Sequence, residues 1–397
     1  MAHSLEIGGA EKSLLGLLES LNIKKYYVDL FLLRHDGELM SYIPKGVNLL
    51  PCNKKYASLG IPIKSVIKQG NIGVAMGRLN GKYRAKKRIA ALSLPTDNNV
   101  YNEYSHKYTV HMLPSINDEK YDLAVSFMSP HYFVAKKVKA KKRIAWIHTD
   151  YSTFSVDRES ELQMWNEYDY IASISEQVTK SFLKTFPELS NKIVLIPNII
   201  PEKLMKVQSN AFSVDSEMPC VGSVRMLSIG RFCNAKNFDN VPEICRLIRD
   251  KGMDVKWYLI GYGGDEVLIR RKIAENGMQD HVIVLGKKEN PYPYIAACDL
   301  YVQPSRYEGK CVSVIEAQIL NKPVVITNYA TSSSQLQDGY DGVIVPIDNQ
   351  ECAEGIRRVL NDANLREQLI NNTMKVDYTN SHAVGKIYEI LRGENED

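Results

Sequence analysis

At 397 residues the chain is longer than one ordinary hydrophobic core supports, so two domains are expected. Apolar residues make up 44% and charged residues 24%, a globular balance, and no run of about 18 apolar residues occurs, which excludes a membrane-spanning helix. The net charge of +4 divides into +8 over residues 1–200 (27 Lys and Arg against 19 Asp and Glu) and −4 over 201–397 (23 against 27), with 18 basic and 5 acidic residues in 51–143.

That local basic excess has two readings: a solubilising face, or a surface drawn to an anionic partner such as the inner face of a cell membrane. The seven cysteines (Cys52, Cys220, Cys233, Cys245, Cys298, Cys311, Cys352) are odd in number and never spaced Cys-x-x-Cys. They point to reduced thiols in a cytoplasm and against a disulfide framework or a zinc site. The eight histidines form no His-x-x-x-His pair, so no bound metal is expected. The N-terminus lacks a basic patch followed by an apolar stretch, so no secretion signal is read there.

In chain order, residues 11–21 place Leu14, Leu15, Leu17, Leu18 and Leu21 at helical spacing, and 27–33 (YVDLFLL) reads as a strand after them. Residues 62–92 are basic, with Ile63, Val66, Ile67 and Val74 ahead of Lys86, Lys87 and Arg88, and their periodicity specifies no element. Further strands are predicted at 123–127, 143–147, 170–173 and 193–196. Residues 207–223 are polar and punctuated by Ser, Pro and Gly, as an interdomain linker is. Strands at 224–229, 255–260, 281–285, 299–303, 323–327 and 342–345 then alternate with helices near 237–251, 264–276, 291–297, 311–320, 331–337 and 350–360. Short apolar strands separated by helices specify an α/β fold of parallel sheets covered on both faces. Two doubly wound, Rossmann-like domains facing across a cleft follow, 1–206 and 224–380, joined by 207–223. The last pattern, 381–397, is a helix with room to pack back toward the first domain.

The sharpest chemical signal is the run from Glu308 to Glu316, two carboxylates eight residues apart after the apolar strand 300–303. Gly309 lets the backbone turn and approach a ligand, and the N–H groups of Lys310, Cys311, Val312 and Ser313 form an anion site at a helix start. Glu316, a turn farther in, is suited to accept two hydroxyls, as a ribose presents. The bland alternative is a first helical turn carrying an acid for dipole reasons. Gly230-Arg231 follows the first strand of the second half, and Lys236 stands just ahead of the next helix. Those cations suit a diphosphate, Arg by its fork and Lys as a point charge. Ile260-Gly261-Tyr262-Gly263-Gly264 is a glycine-rich strand-to-helix turn that does not fit G-x-G-x-x-G, which weakens a nicotinamide reading.

Together, SIGRFCNAKNFDN (228–240), YLIGYGGDE (258–266), VIVLGKKENPYPYIAACDLYVQPSRYEGKCVSVIEA (282–317) and KPVVITNYATSSSQLQDGYDGVIVP (322–346) make the sequence resemble the retaining glycosyltransferases of family 4, of the glycosyl transferases group 1. The first half is similar through SLEIGGAEKSLLGLL (4–18), WIHTDY (146–151) and 173–200, whereas 50–120 carry no motif of the family. The resemblance implies the two-domain GT-B fold, an acceptor-side first domain, and transfer from a nucleotide-diphosphate sugar, UDP favoured and GDP second, with retention of configuration. It implies Arg231 and Lys236 on the donor diphosphate, Glu308 against the donor sugar and Glu316 on the ribose. Gly286 and Lys287 would border the base, with Gly263, Gly309, Lys310, Cys311 and Val312 on the donor, Gly8 and Gly9 close to the phosphates, and His148 beside sugar and acceptor. No cofactor and no metal are implied; the chain has no Asp-x-Asp, in agreement.

For the acceptor, the expectation is a glycan, such as a lipid-linked oligosaccharide of capsule or cell-surface polysaccharide synthesis, met at the cytoplasmic side of the membrane. Family members place a buried strand before the Gly-Gly loop. Here only Met1–Glu6 precede Ile7-Gly8-Gly9, so either a stub strand or a shortened start is expected. Lys310-Cys311 also replaces the Phe-Gly found in many members. A glycoside hydrolase would use the two carboxylates as acid and nucleophile but leaves Arg231 and Lys236 unexplained. A basic nucleic-acid module over 81–88 and 135–143 lacks any recognised motif or interleaved aromatics, so no nucleic-acid partner is expected.

Overall fold

The computed structural model describes every residue except Ile7, Thr96, Asp97, Val221, Lys310 and 394–397. The chain forms two compact units, one of Met1–Pro201 with Asn380–Asp397 and one of Glu202–Thr379.

In the first unit, β1 (Val28–Leu30) pairs in parallel with β2 (Val47–Leu49). The strands β3 (Lys120–Ser126), β4 (Lys139–Ile147), β5 (Tyr170–Ser173) and β6 (Ile193–Leu195) form a second parallel sheet in that order. The short segment before Gly8 joins the two. Ala2 N–H donates to Phe31 O and accepts at its own O from Leu33 N, while Phe127 N donates to Met1 O. So Met1 and Ala2 lie between the ends of β1 and β3 as a brief central strand ahead of the helix Gly9–Ser20. Its core joins Phe31, Tyr56, Phe133, Trp165 and Phe182, all buried. The helix Gly385–Arg392 belongs to this unit: Asn22 N donates to Tyr388 Oη, Tyr388 stacks on Tyr26, and Lys142 donates to Ile390 O.

The second unit has six parallel strands, β7 (Val224–Ile229), β8 (Val255–Ile260), β9 (Val282–Gly286), β10 (Leu300–Gln303), β11 (Val324–Thr327) and β12 (Val343–Val345), arranged β12-β11-β10-β7-β8-β9. The order reverses between β7 and β10, and doubly wound sheets bind ligands beyond the carboxyl ends of the strands at such a reversal. β10 and β11 are buried at every position, as strands covered by helices on both faces must be. The strands predicted in this half appear within a residue of their expected limits.

The stretch 207–223 is not a free connector. The helix Glu202–Gln208 precedes it in the same unit, and Val214 and Met218 are buried. Lys288 pairs with Glu217 at 2.8 Å, and Asn290 donates to Gln208 O, tying the segment down. The chain passes from one unit to the other at 201–202 and returns at 379–380. Polar composition marked the stretch as loop, but two apolar side chains and one ion pair suffice to dock it.

Candidate active site

The carboxyl ends of β7 and β10 carry two loops that are fastened to each other. Arg306 N donates to Ala235 O at 2.8 Å, and the Arg306 guanidinium grips Asp239 with both branches, at 2.9 and 2.8 Å. Asn237, fully buried in a left-handed conformation (φ 60°), donates to Pro304 O at 2.9 Å. A bidentate Arg–carboxylate pair fixes direction as well as distance, so the two loops move as one piece.

On that base sits a line of polar side chains. Tyr301 Oη donates to Gln303 Oε1, Gln303 Nε2 to Ser305 Oγ, and Ser305 Oγ to Glu308 Oε1 at 2.7 Å. Lys236 Nζ lies 2.5 Å from Glu308 Oε1 and 3.7 Å from Cys311 Sγ. Gln303 and Ser305 are fully buried, and each is satisfied, which lets the network hold one geometry. Thr331 donates to Glu308 O, and burial pushes the Cys311 thiol up despite the nearby Lys236 ammonium. The stem of Lys236 crosses Gly230, where a Cβ would stand 2.9 Å from its Cε. Arg231 beside it is exposed and makes no ion pair among the described residues.

The glycine-rich turn after β8 serves close packing. A Cβ on Gly261 would stand 1.9 Å from Gly230 O, and one on Gly263 2.3 Å from Phe232 O. Phe232 N donates to Tyr262 O and Gly261 N to Gly286 O, so the loops after β7, β8 and β9 are laced together. Gly286 and Gly309 have open space where a side chain would be. Lys287 is exposed, its Nζ 5.7 Å from the Tyr262 ring centre.

The helix Val312–Ile319 starts against β7, with Ser313 Oγ donating to Ile229 O at 3.2 Å. Val312 is exposed, whereas Cys311 is buried and its N–H donates to Gln335 Oε1 at 2.7 Å. That amide is therefore already engaged, which corrects the expectation that the whole 310–313 run offers free N–H groups. Lys310 lies outside the described residues. Glu316 accepts from the buried Tyr292 Oη at 3.0 Å, and burial together with that carboxylate pushes the Tyr292 phenol upward. Glu308 thus accepts from Lys236 and Ser305, whereas Glu316 accepts from Tyr292. Lys236, Glu308 and Cys311 form one cluster, Arg231, Gly263, Gly286 and Lys287 share the laced loops, and Val312 and Glu316 lie on the helix behind.

Gly8, Gly9 and His148 belong to the first unit. Gly8 caps the helix Gly9–Ser20 in extended conformation, and a Cβ there would collide with Glu11 Oε2 at 2.1 Å, while Gly9 is open. His148 follows β4; its Nε2 is 2.9 Å from Phe127 O, and its ring packs on Phe127 at 4.7 Å. Burial lowers its pKa to about 4, so the ring is neutral at pH 7. With Nε2–H donated to the carbonyl, Nδ1 is a bare acceptor, buried and without a partner among the described residues. Also among the described residues, no three His, Cys, Asp or Glu are grouped as metal ligands.

Sequence reasoning missed Gln303, Ser305, Asn237, Arg306, Tyr292 and Gln335. A polar residue closing an otherwise apolar strand, and another two positions on, were the available signal for the first two. The others act through partners about 24 to 70 positions away, as the hydrogen bonds of Tyr292 to Glu316 and of Arg306 to Asp239 illustrate.

Residues 221–376 match the model of the family Glycosyl transferases group 1. The alpha-D-kanosaminyltransferase of Streptomyces kanamyceticus is 26% identical over 150 residues, 37% of this chain and 39% of that protein. The N-acetylgalactosamine-N,N'-diacetylbacillosaminyl-diphospho-undecaprenol 4-alpha-N-acetylgalactosaminyltransferase of Campylobacter jejuni is 30% identical over 150 residues, 37% of this chain and 40% of that protein. The matches thus span about two fifths of the length of these relatives. Over the whole chain, Anabaena HepE, solved with UDP and glucose, superposes with a TM-score of 0.57 at 16% identity, covering 99% of this chain and 100% of that one. Residues 221–376 are accordingly a glycosyl transferases group 1 domain, within a chain that has the α/β fold of the GT-B glycosyltransferases.

Proposed function

We propose that this chain transfers a sugar from a nucleotide-diphosphate sugar to a glycan acceptor with retention of configuration and without a metal, as family 4 enzymes do. The observation that carries the reading is the Lys236 ammonium, held 2.5 Å from Glu308 at the strand-order reversal with the unpaired Arg231 guanidinium next to it in the chain. A fixed cation and a free fork suit the diphosphate that leaves when the glycosidic bond breaks, and preorganised charge stabilises that group where it develops. The anomeric C–O bond breaks as the diphosphate takes the electron pair, and the acceptor hydroxyl attacks from the same face. Its proton passes to a donor phosphate oxygen, so no protein base is required. Glu316, oriented by Tyr292, accepts the ribose hydroxyls, Glu308 meets the donor sugar, and Gly286 with Lys287 borders the base. The neutral His148 ring is suited to accept from a hydroxyl through Nδ1.

UDP is the favoured nucleotide, supported by the HepE complex, and GDP is second. A lipid-linked oligosaccharide of capsule or cell-surface polysaccharide synthesis is the proposed acceptor, supported by the diphospho-undecaprenol substrate in the name of the Campylobacter relative. A thermal-shift screen of nucleotide sugars tests the reading: a nucleotide at about 100 times its Kd adds roughly 2.7 kcal/mol. No shift with any nucleotide sugar would sink it. A glycoside hydrolase would cleave glycosides with no nucleotide present, which the same preparation checks directly.

A further inference from the structure

The helix Ile72–Leu92 turns its small residues inward. Val74, Ala75, Gly77, Gly81 and Ala85 are buried. A Cβ on Gly77 would stand 2.9 Å from Tyr108 O, and one on Gly81 2.6 Å from Tyr104 O, so the two glycines permit close packing on the helix Val100–Thr109. The large apolar side chains point the other way. Ile72, Met76, Leu79 and Tyr83 recur at steps of four, three and four, which confines them to one stripe. They are 59%, 61%, 50% and 59% exposed. Ile67 on the adjoining helix Ile63–Lys68 is exposed as well. Contiguous apolar surface of this kind marks an interaction face.

Charge identifies what that face meets. From Leu39 to Thr96 the sequence has eleven Lys and Arg and no Asp or Glu. Arg78 is occupied by the carbonyls of Ser58 and Ile61, and Arg88 by Asp157 and Glu159. Lys64, Lys68, Lys82 and Lys86 are exposed and make no ion pair among the described residues. At 100° per residue, Lys82 and Lys86 fall on one flank of the stripe and Lys87 on the other, its Nζ 4.6 Å from the Tyr83 ring centre. A second copy docked face to face would oppose like charges. A nucleic acid would set phosphates against the apolar stripe. Apolar centre with cationic flanks is the pattern of a helix lying in a membrane interface.

We propose that the 72–92 helix seats this chain on a bilayer of anionic lipid, with Ile72, Met76, Leu79 and Tyr83 toward the acyl chains and Lys82, Lys86 and Lys87 on the headgroup phosphates. The helix lies in the surface; no helix among the described residues is long and apolar enough to cross. Flotation of the full chain with phosphatidylcholine vesicles, with and without phosphatidylglycerol, tests the proposal. The chain should float with the anionic vesicles and not with the neutral ones, and added salt should release it. Met76→Asp with Leu79→Asp, and separately Lys82→Glu with Lys86→Glu, should each cut partitioning about tenfold or more. As a second readout, a nitrobenzoxadiazole probe on Leu79→Cys should shift to the blue on anionic vesicles. The proposal is overturned by a chain that stays with the vesicle-free fraction at low salt, by variants that float as well as wild type, or by a dimer that the Asp variant dissociates without loss of flotation. The same variants keep the UDP-induced thermal shift, so failure of docking and failure of the transferase reading are told apart.

Discussion

Lys236 illustrates what a single residue contributes when its surroundings are fixed beforehand. Its stem rests over Gly230 and its ammonium on Glu308, so in the proposed transfer no reorganisation is needed as charge grows on a leaving diphosphate. Lys236→Ala should therefore lower kcat/KM for the nucleotide sugar about 10²- to 10³-fold, measured as acceptor-dependent UDP release. In the proposed reaction Glu316 acts on binding instead. Glu316→Ala should abolish the UDP-induced thermal shift, and Tyr292→Phe, which removes the donor at 3.0 Å, should weaken UDP about three- to tenfold in a titration. An unchanged UDP affinity in Glu316→Ala would remove that residue from the nucleotide site. The placement of Lys236 in the loop after β7 and of Glu316 in the helix after β10 was legible, because each stands at recognisable spacing from an apolar strand. Tyr292 and Gln335 were not, because what matters about them is a partner 24 positions away.

Elements show the same division between local and distant information. The strands of the second unit were readable because each is a short apolar run between turn residues, and the central β10 and β11 are buried on both faces. The helix Ile72–Leu92 was unreadable for the opposite reason: its buried face is Gly, Ala and Val, and its large apolar residues are outside. A periodicity scan looks for large residues inside, so the signal was present with its sign reversed. The glycines make this checkable. Gly81→Val should lower the melting temperature by about 5 °C or more, since the added carbons have only Tyr104 and Ser105 backbone to meet. In the second unit Gly261→Ala should destabilise by about 2 kcal/mol or more and impair UDP binding through the Arg231 loop, whereas Gly264→Ala, with open space, should do neither. Equal melting temperatures for the two alanine variants would contradict the packing role assigned to the turn.

At the scale of the molecule, buried titratable groups of the first unit set its pH dependence. Glu161 is buried and its pKa is raised to about 7 by desolvation, with nearby Glu103 adding to the shift; Tyr151 Oη donates to it at 3.1 Å. The folded state therefore binds a proton that the unfolded state releases above about pH 4.5, so this group lowers stability as pH climbs from 4.5 to 7, by roughly 3 kcal/mol at full effect. Glu103 is shifted the same way by burial. His106 and His131, lowered to about 3, and His148, lowered to about 4, work against it. Each is neutral when folded, so the stability they allow is fully present above pH 6.5 and is lost as pH falls toward 4. Between pH 4.5 and 6.5 three imidazoles outweigh one or two carboxyls, and stability rises with pH; the buried Met1 ammonium, lowered to about 5, extends the rise to about pH 8, while Glu161 is ionised in both states above about pH 7 and adds no further slope. Melting scans should show the first unit gaining stability from about pH 4.5 and levelling off near pH 8. Glu161→Gln, whose amide oxygen still accepts from Tyr151, should steepen the rise between pH 4.5 and 7 and melt higher than wild type at pH 8.5. If the variant has the same pH profile as wild type, Glu161 does not carry the buried proton, and Glu103→Gln becomes the substitution that must steepen the rise.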